Sequence, residues 1–174
     1  ISLADLMHDL KLTHGGFYKH FASRDELVAE ALELALEQSA HAMRERLFDG
    51  DKPTVAKFVD FYLDEAHRVA RADGCAVAAL AGDAARKSAA VQAQFRKSIE
   101  RNVEVLSQAL DQGDAHESRE AALVTLSALY GALVMARAVG DSPLSREVLR
   151  TLRKRVSGLA GGAKKPRVRT KARP

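Results

Sequence analysis

Apolar residues recur at steps of three and four along nearly the whole chain, and no period-two alternation lasts beyond a few residues. A sequence with that period buries its apolar stripes as amphipathic helices, so the expected fold is all-α. Val55, Phe58, Val59, Tyr62, Leu63, Ala66, Val69 and Ala70 carry the pattern most cleanly and predict one helix whose first turn takes Pro53. Composition agrees. Ala, Leu, Glu and Arg are frequent, and there are only four prolines. With 174 residues, 47% hydrophobic and 29% charged, the chain is long and apolar enough to bury a sizeable core.

Caps and breakers divide the remainder. Ser2 caps a short helix that puts Leu3, Leu6, Met7 and Leu10 on one face. Thr13 caps a second over residues 14–21, and Ser23 with Glu26 forms a capping box that opens a long helix ending near Leu47. "DGDKP" breaks the chain there, and Asp73 with Gly74 breaks it again before a short helix of small residues. Val91, Phe95, Ile99, Val103, Leu106 and Leu110 mark a further amphipathic helix. Residues 117–139 are apolar on most sides and are expected to be buried on two faces, with Gly140 as the stop and Pro143 blocking continuation. A last helix is expected over residues 145–156. The organisation expected is a small helical module with its connecting helix at 1–47, a larger helical domain at 48–160, and a basic disordered tail at 161–174.

Several function classes are disfavoured. A single cysteine, Cys75, leaves no internal disulfide and suits a reducing cytoplasm. The 16-residue uncharged run 121–136 is shorter than the roughly 18–20 residues that span a bilayer, so a buried helix and no membrane association are expected. The chain opens at Ile1 already inside an apolar pattern and reads as lacking its natural start. The +4 net charge comes from the tail: six Lys and Arg lie in residues 161–174, and taking six from +4 leaves −2 for the body. There is no Gly-rich phosphate loop, Ser/His/Asp arrangement or Cys/His cluster. Asp64-x-x-His67 is a lone relative of the Glu-x-x-His pairs of di-metal bundles. No enzymatic activity, metal or cofactor is expected.

Local charge is more informative. Residues 11–24 hold Lys11, Lys19 and Arg24, with His14 and His20, and no acid. Within them, "LTHGGFYKHF" sets two glycines in a helical context at a cost of about 1 kcal/mol each. At 100° per residue Phe17 and Phe21 share one face, while Gly15, Lys19 and Ala22 fall opposite, flanked by Gly16 and Tyr18. The outer surface is bare at its start and cationic further along, a shape that approaches a phosphodiester backbone closely. Two short helices so joined form either a helix-turn-helix or a hairpin that simply packs.

The stretch "LADLMHDLKLTHGGFYKHFASRDELVAEAL" resembles the DNA-binding motif of the TetR (tetracycline-repressor-like) family of transcription regulators. The family order of Ser/Thr-x-Gly-x-aromatic-Tyr-x-His-Phe followed by Ser-Lys/Arg-x-x-Leu falls on Thr13, Gly15, Phe17, Tyr18, His20, Phe21, Ser23, Arg24 and Leu27. The resemblance implies that Thr13, Tyr18, Lys19, His20 and Arg24 contact phosphates, that His14, Gly15 and Gly16 face base edges, and that Phe17 and Phe21 are structural. Lys11 stands where the family has a turn glycine, which strains the backbone if that turn needs a positive φ. The family's helix before the motif is absent from this sequence.

The resemblance further implies a cytoplasmic, homodimeric repressor on a pseudo-palindromic double-stranded operator, released by a small-molecule effector. The alternative is a helical ligand-binding or scaffolding protein without specific DNA binding. Candidate effector-pocket residues are Phe58, Tyr62, Phe95, Tyr130 and Cys75, with Phe61 and His67 as further walls; each also suits plain core. The Gly74-Cys75 pair resembles a branch of the family in which some members sense electrophiles through cysteine. Small residues at four-residue steps, Ser127 with Gly131 and Ala128 with Ala132, place Leu126, Leu129 and Leu133 in a candidate dimer seam with Val148 and Leu152. The same residues suit an intramolecular core helix.

Overall fold

A computed structural model of the chain describes residues 2–72 and 74–160; the expected tail lies outside the described residues. The order is α1 (Leu3–Asp9), α2 (His14–Phe17), α3 (Arg24–Leu47), β1 (Phe48–Asp49), β2 (Lys52–Pro53), α4 (Val55–Tyr62), α5 (Glu65–Val69), α6 (Ala76–Ala84), α7 (Ala89–Leu110), α8 (Ala115–Ala138) and α9 (Pro143–Ala160). The all-helical expectation holds, apart from a two-stranded antiparallel hairpin pairing Phe48 with Pro53 and Asp49 with Lys52. Its turn uses Gly50 at φ 59, a conformation glycine adopts without a Cβ clash.

Local chemistry starts the helices. Ser2 Oγ accepts from Asp5 N at 3.1 Å, and the Asp5 carboxylate accepts from Ser2 N at 3.0 Å. Ser23 Oγ accepts from Glu26 N at 3.2 Å, while the Glu26 carboxylate accepts from Ala22 N, one residue earlier than a simple box requires. Asp114 Oδ1 takes the amides of His116 and Glu117 and starts α8 two residues ahead of expectation.

Other boundaries also differ from the periodic reading. The helix expected to run unbroken to Ala70 splits into α4 and α5, because Asp64 Oδ1 accepts from Ala66 N at 2.8 Å and caps a new helix. Pro53 sits in β2, not in the first turn of α4. Pro143 begins α9 instead of merely ending what precedes it; Ser142 Oγ accepts from Ser145 N at 3.1 Å, and a proline at the first helical position loses no bond.

The core gathers around α8, which packs against α7 and α9, while α3 packs against α7 and α4 against α9. Leu47, Leu63, Leu106, Leu129 and Leu133 are its largest fully enclosed aliphatic side chains. Polar ties fix the helices around it. Ser145 Oγ donates to Ala136 O at 3.0 Å, and Arg153 Nη2 donates to Leu63 O at 2.6 Å at the α4–α5 break. By length and composition α8 is apolar enough to cross a membrane; its inner face is taken up by the core.

That packing changes the expected dimer seam. Leu126, Leu129, Leu133, Val148 and Leu149 are buried within the single chain, and Leu152 is half-buried against the same core. Side chains enclosed in this way pack within the single chain. The opposite face of α8 presents Leu123, Val124, Ser127, Gly131, Val134 and Met135 to the outside.

Candidate functional site

The first of two sites is the N-terminal helical pair. Leu12 N donates to Met7 O at 2.9 Å through a tight turn in which Lys11 has φ 55, the positive value that a glycine would accept without strain. Thr13 then caps α2, its Oγ1 accepting from Gly16 N at 3.1 Å. Phe17, 2% exposed, anchors the pair, with Phe21 stacked on it at 5.5 Å and Tyr18 edge-on at 5.1 Å. The helix is shorter than the predicted 14–21. Beyond Phe17 the chain continues in turns, with Lys19 N donating to Gly16 O and His20 N to Phe17 O.

The outer side of α2 is low and basic. A Cβ at Gly15 would meet nothing within 4 Å, so no packing contact among the described residues requires glycine there. At Gly16 it would come 3.3 Å from Thr13 Oγ1 and press on the cap. Thr13, Gly15, Tyr18, Lys19, His20 and Arg24 are exposed, and Gly16 is partly so. No acidic residue lies in the first turn of α2. The His14 side chain lies outside the described part of the structure.

The second site is a cavity of about 450 Å³, open on one side, between α3, α4, α5, α6 and α8. Phe58, Phe61, Tyr62, His67, Cys75 and Tyr130 line it, with Ser39, Met43 and Arg46 from α3 and Arg71, Gly74 and Ala76 from the loop into α6. His67 Nδ1 donates to Tyr62 O at 2.8 Å, which leaves Nε2 as the unprotonated nitrogen. Burial, then the nearby Arg137 and Arg46 charges, outweigh that bond and hold the His67 pKa below its ordinary value. The Tyr62 hydroxyl is enclosed and makes no well-formed hydrogen bond. Burial, then the neighbouring Cys75 thiol, push that phenol's pKa well up. Asn102 Nδ2 donates to Tyr130 Oη at 2.9 Å.

The family model for the C-terminal domain of LmrA/YxaF-like transcriptional regulators matches residues 52–151, more than half of the chain and the part that holds most of this cavity. The chain belongs to the TetR family of transcriptional regulators. Two solved structures share its fold: the reduced form of NemR from E. coli, at TM-score 0.73 and 20% identity, and a TetR transcriptional regulator from Legionella pneumophila, at 0.72 and 21%. In each comparison 91% of this chain and 85% of the other are covered. At such identities the likeness is one of fold. No curated protein matches the sequence.

In this TetR-family regulator the structure gathers Phe58, Phe61, Tyr62, His67, Cys75 and Tyr130 around one cavity. Phe95 is not among its walls; α7 turns that ring into the core. Two contributors escape sequence reading. Arg137, just past the uncharged run, donates to the carbonyls of His67, Arg68 and Ala70 and holds the α5 end against α8. Gly74 passes so close that a Cβ there would lie 2.6 Å from Ala70 O and 2.8 Å from Arg137 Nη2. The sequence marks Gly74 as a break after Asp73 and as half of the Gly74-Cys75 pair, but not its close approach to Ala70 and Arg137. Among the described residues no cluster of three or more His, Cys, Asp or Glu has metal-holding geometry.

Proposed function

We propose that this regulator is a cytoplasmic repressor acting as a homodimer. Thr13, Tyr18, Lys19, His20 and Arg24 clamp phosphates, and Gly15 and Gly16, with His14, bring α2 against base edges in the major groove. The observation that carries the reading is the open space over Gly15 on an exposed basic face: the missing side chain serves an outside surface. A two-fold dimer presents two such faces to a pseudo-palindromic operator.

The proposed division places the DNA module and its connecting helix at 1–47 and the effector domain at 48–160. The connecting helix α3 supplies the coupling. It begins at the Ser23 cap of the reading module and carries Ser39, Met43 and Arg46 into the cavity wall. At 24 residues it spans about 36 Å as one rigid element. An effector wedged between α3 and α6 tilts that lever and changes the spacing of the two reading helices. It must bind one spacing better than the other.

Lys19→Glu tests the DNA face. Placing a carboxylate at a phosphate contact weakens operator binding by roughly tenfold or more in a mobility-shift titration, with the mass of the assembly unchanged. Unaltered DNA affinity in that variant overturns the assignment.

A further inference from the structure

Among the described residues, the charged side chains that line the cavity are cationic. Arg46 and Arg71 line it, and no carboxylate does among the described residues. Arg137, behind the Gly74 backbone, bonds only to main-chain carbonyls; no described carboxylate pairs with it. The N-terminus of the nine-residue α6 opens on the same space through Gly74, Cys75 and Ala76. Its cap residue, Cys75, supplies no side-chain bond, and Ala76 N reaches only Ser39 Oγ at 3.4 Å. First-turn amides and the helix dipole favour a negative charge there.

A second, independent observation points to the same spot. The Tyr62 side chain is 5% exposed, lines the cavity beside Cys75, and has an unpartnered hydroxyl. A buried hydroxyl left without a partner costs about 1–3 kcal/mol, a cost that an incoming acceptor removes. Tyr130 Oη already accepts from Asn102, which leaves its own proton to donate. The remaining walls are flat. Phe61 lies under the Arg46 guanidinium at 4.3 Å and stacks on the neutral His67 ring at 5.3 Å.

We propose that the effector of this regulator is a flat aromatic carboxylate, its anionic end received by the Tyr62 hydroxyl and the α6 N-terminus, its ring held among Phe58, Phe61 and Tyr130. The proposal rests on the effector-cavity reading above and adds the ligand's class. The two arginines at the cavity, Arg46 and Arg71, attract the anion, and Arg137 supplies the fixed charge behind it.

Isothermal titration of the whole chain with 1-naphthoate, the neutral 1-naphthamide and the cationic 1-naphthylmethylamine tests it. The carboxylate is expected to bind at least about tenfold more tightly than either analogue, and Tyr62→Phe and Arg71→Gln each to weaken it by about tenfold. The Tyr62 hydroxyl makes no well-formed hydrogen bond, so Tyr62→Phe breaks none. Equal or tighter binding of the amide or amine overturns the anion assignment and leaves the effector cavity standing. So does carboxylate binding that neither variant weakens. Silence from all three probes while an unrelated compound binds overturns the ligand class alone; silence from a broad panel as well takes down the effector cavity with it.

Discussion

Arg137 Nη2 donates to the main-chain carbonyl of His67 at 2.9 Å, joining α8 to the end of α5 across 70 positions of sequence. The same nitrogen reaches Ala70 O at 3.2 Å, and the Gly74 backbone closes over both groups. Gly74→Ala drives a methyl into a carbonyl and a tethered guanidinium, neither of which can swing away. A loss of about 1–3 kcal/mol in urea-unfolding free energy is expected. Wild-type stability in that variant means that the close approach does not exist.

His67 governs part of the acid response. Its folded pKa lies below the 6.5 of the free side chain, so the unfolded chain takes up the proton first. Its contribution to stability is therefore full above pH 6.5 and falls as pH drops below that value toward the folded pKa. The groups that set this are the enclosing walls, then Arg137 and Arg46, partly opposed by the bond to Tyr62 O. His67→Gln has no proton to gain and is expected to lose stability less steeply in urea melts taken from pH 7 to about 5. An unchanged slope removes His67 from the account.

The turn between α1 and α2 stores strain at one residue. Lys11 sits at φ 55, where a side chain costs about 1–2 kcal/mol that glycine avoids. Lys11→Gly is expected to protect the amides of α1 and α2 more strongly in hydrogen exchange, by about 1 kcal/mol, with α7 and α8 unaffected. No gain in protection contradicts a strained turn.

Two substitutions on α8, one in the core and one on the surface, separate packing from assembly in the proposed homodimer. Leu129 is 0% exposed, and Leu129→Ala is expected to cost about 2–5 kcal/mol in unfolding free energy. Met135 is 57% exposed on the opposite face, and Met135→Glu is expected to dissociate the dimer in sedimentation while the helical circular dichroism stays intact. Intact association of Met135→Glu moves the seam elsewhere.

Much of this was legible from local chemistry. Ser2, Thr13 and Ser23 are followed at the right spacing by the amides they cap, and a cap needs nothing farther than three residues away. Phe17 as anchor and Gly15 as open surface follow from helix phase alone. Phase failed where a side chain outcompeted the backbone. Asp64 carries no apolar signal, yet its carboxylate splits the helix expected to continue to Ala70. It failed again on α8, where apolar residues on nearly all sides supply no phase to say which face is inward. The leucines placed at the dimer seam are the core, and the exposed stripe is its opposite face.

Sequence by itself determined what neighbours along the chain decide: helical period, caps and the bare, cationic outer face of α2. Only the tertiary structure decided which of Phe58, Tyr62, Phe95, Cys75 and Tyr130 surround one cavity, that Gly74 must lack a side chain, and that Arg137 stands behind it. The physical reason is range. A helix repeats every 3.6 residues whatever surrounds it, whereas a cavity is the space left when helices from distant parts of the chain settle against one another, and no periodicity records that space.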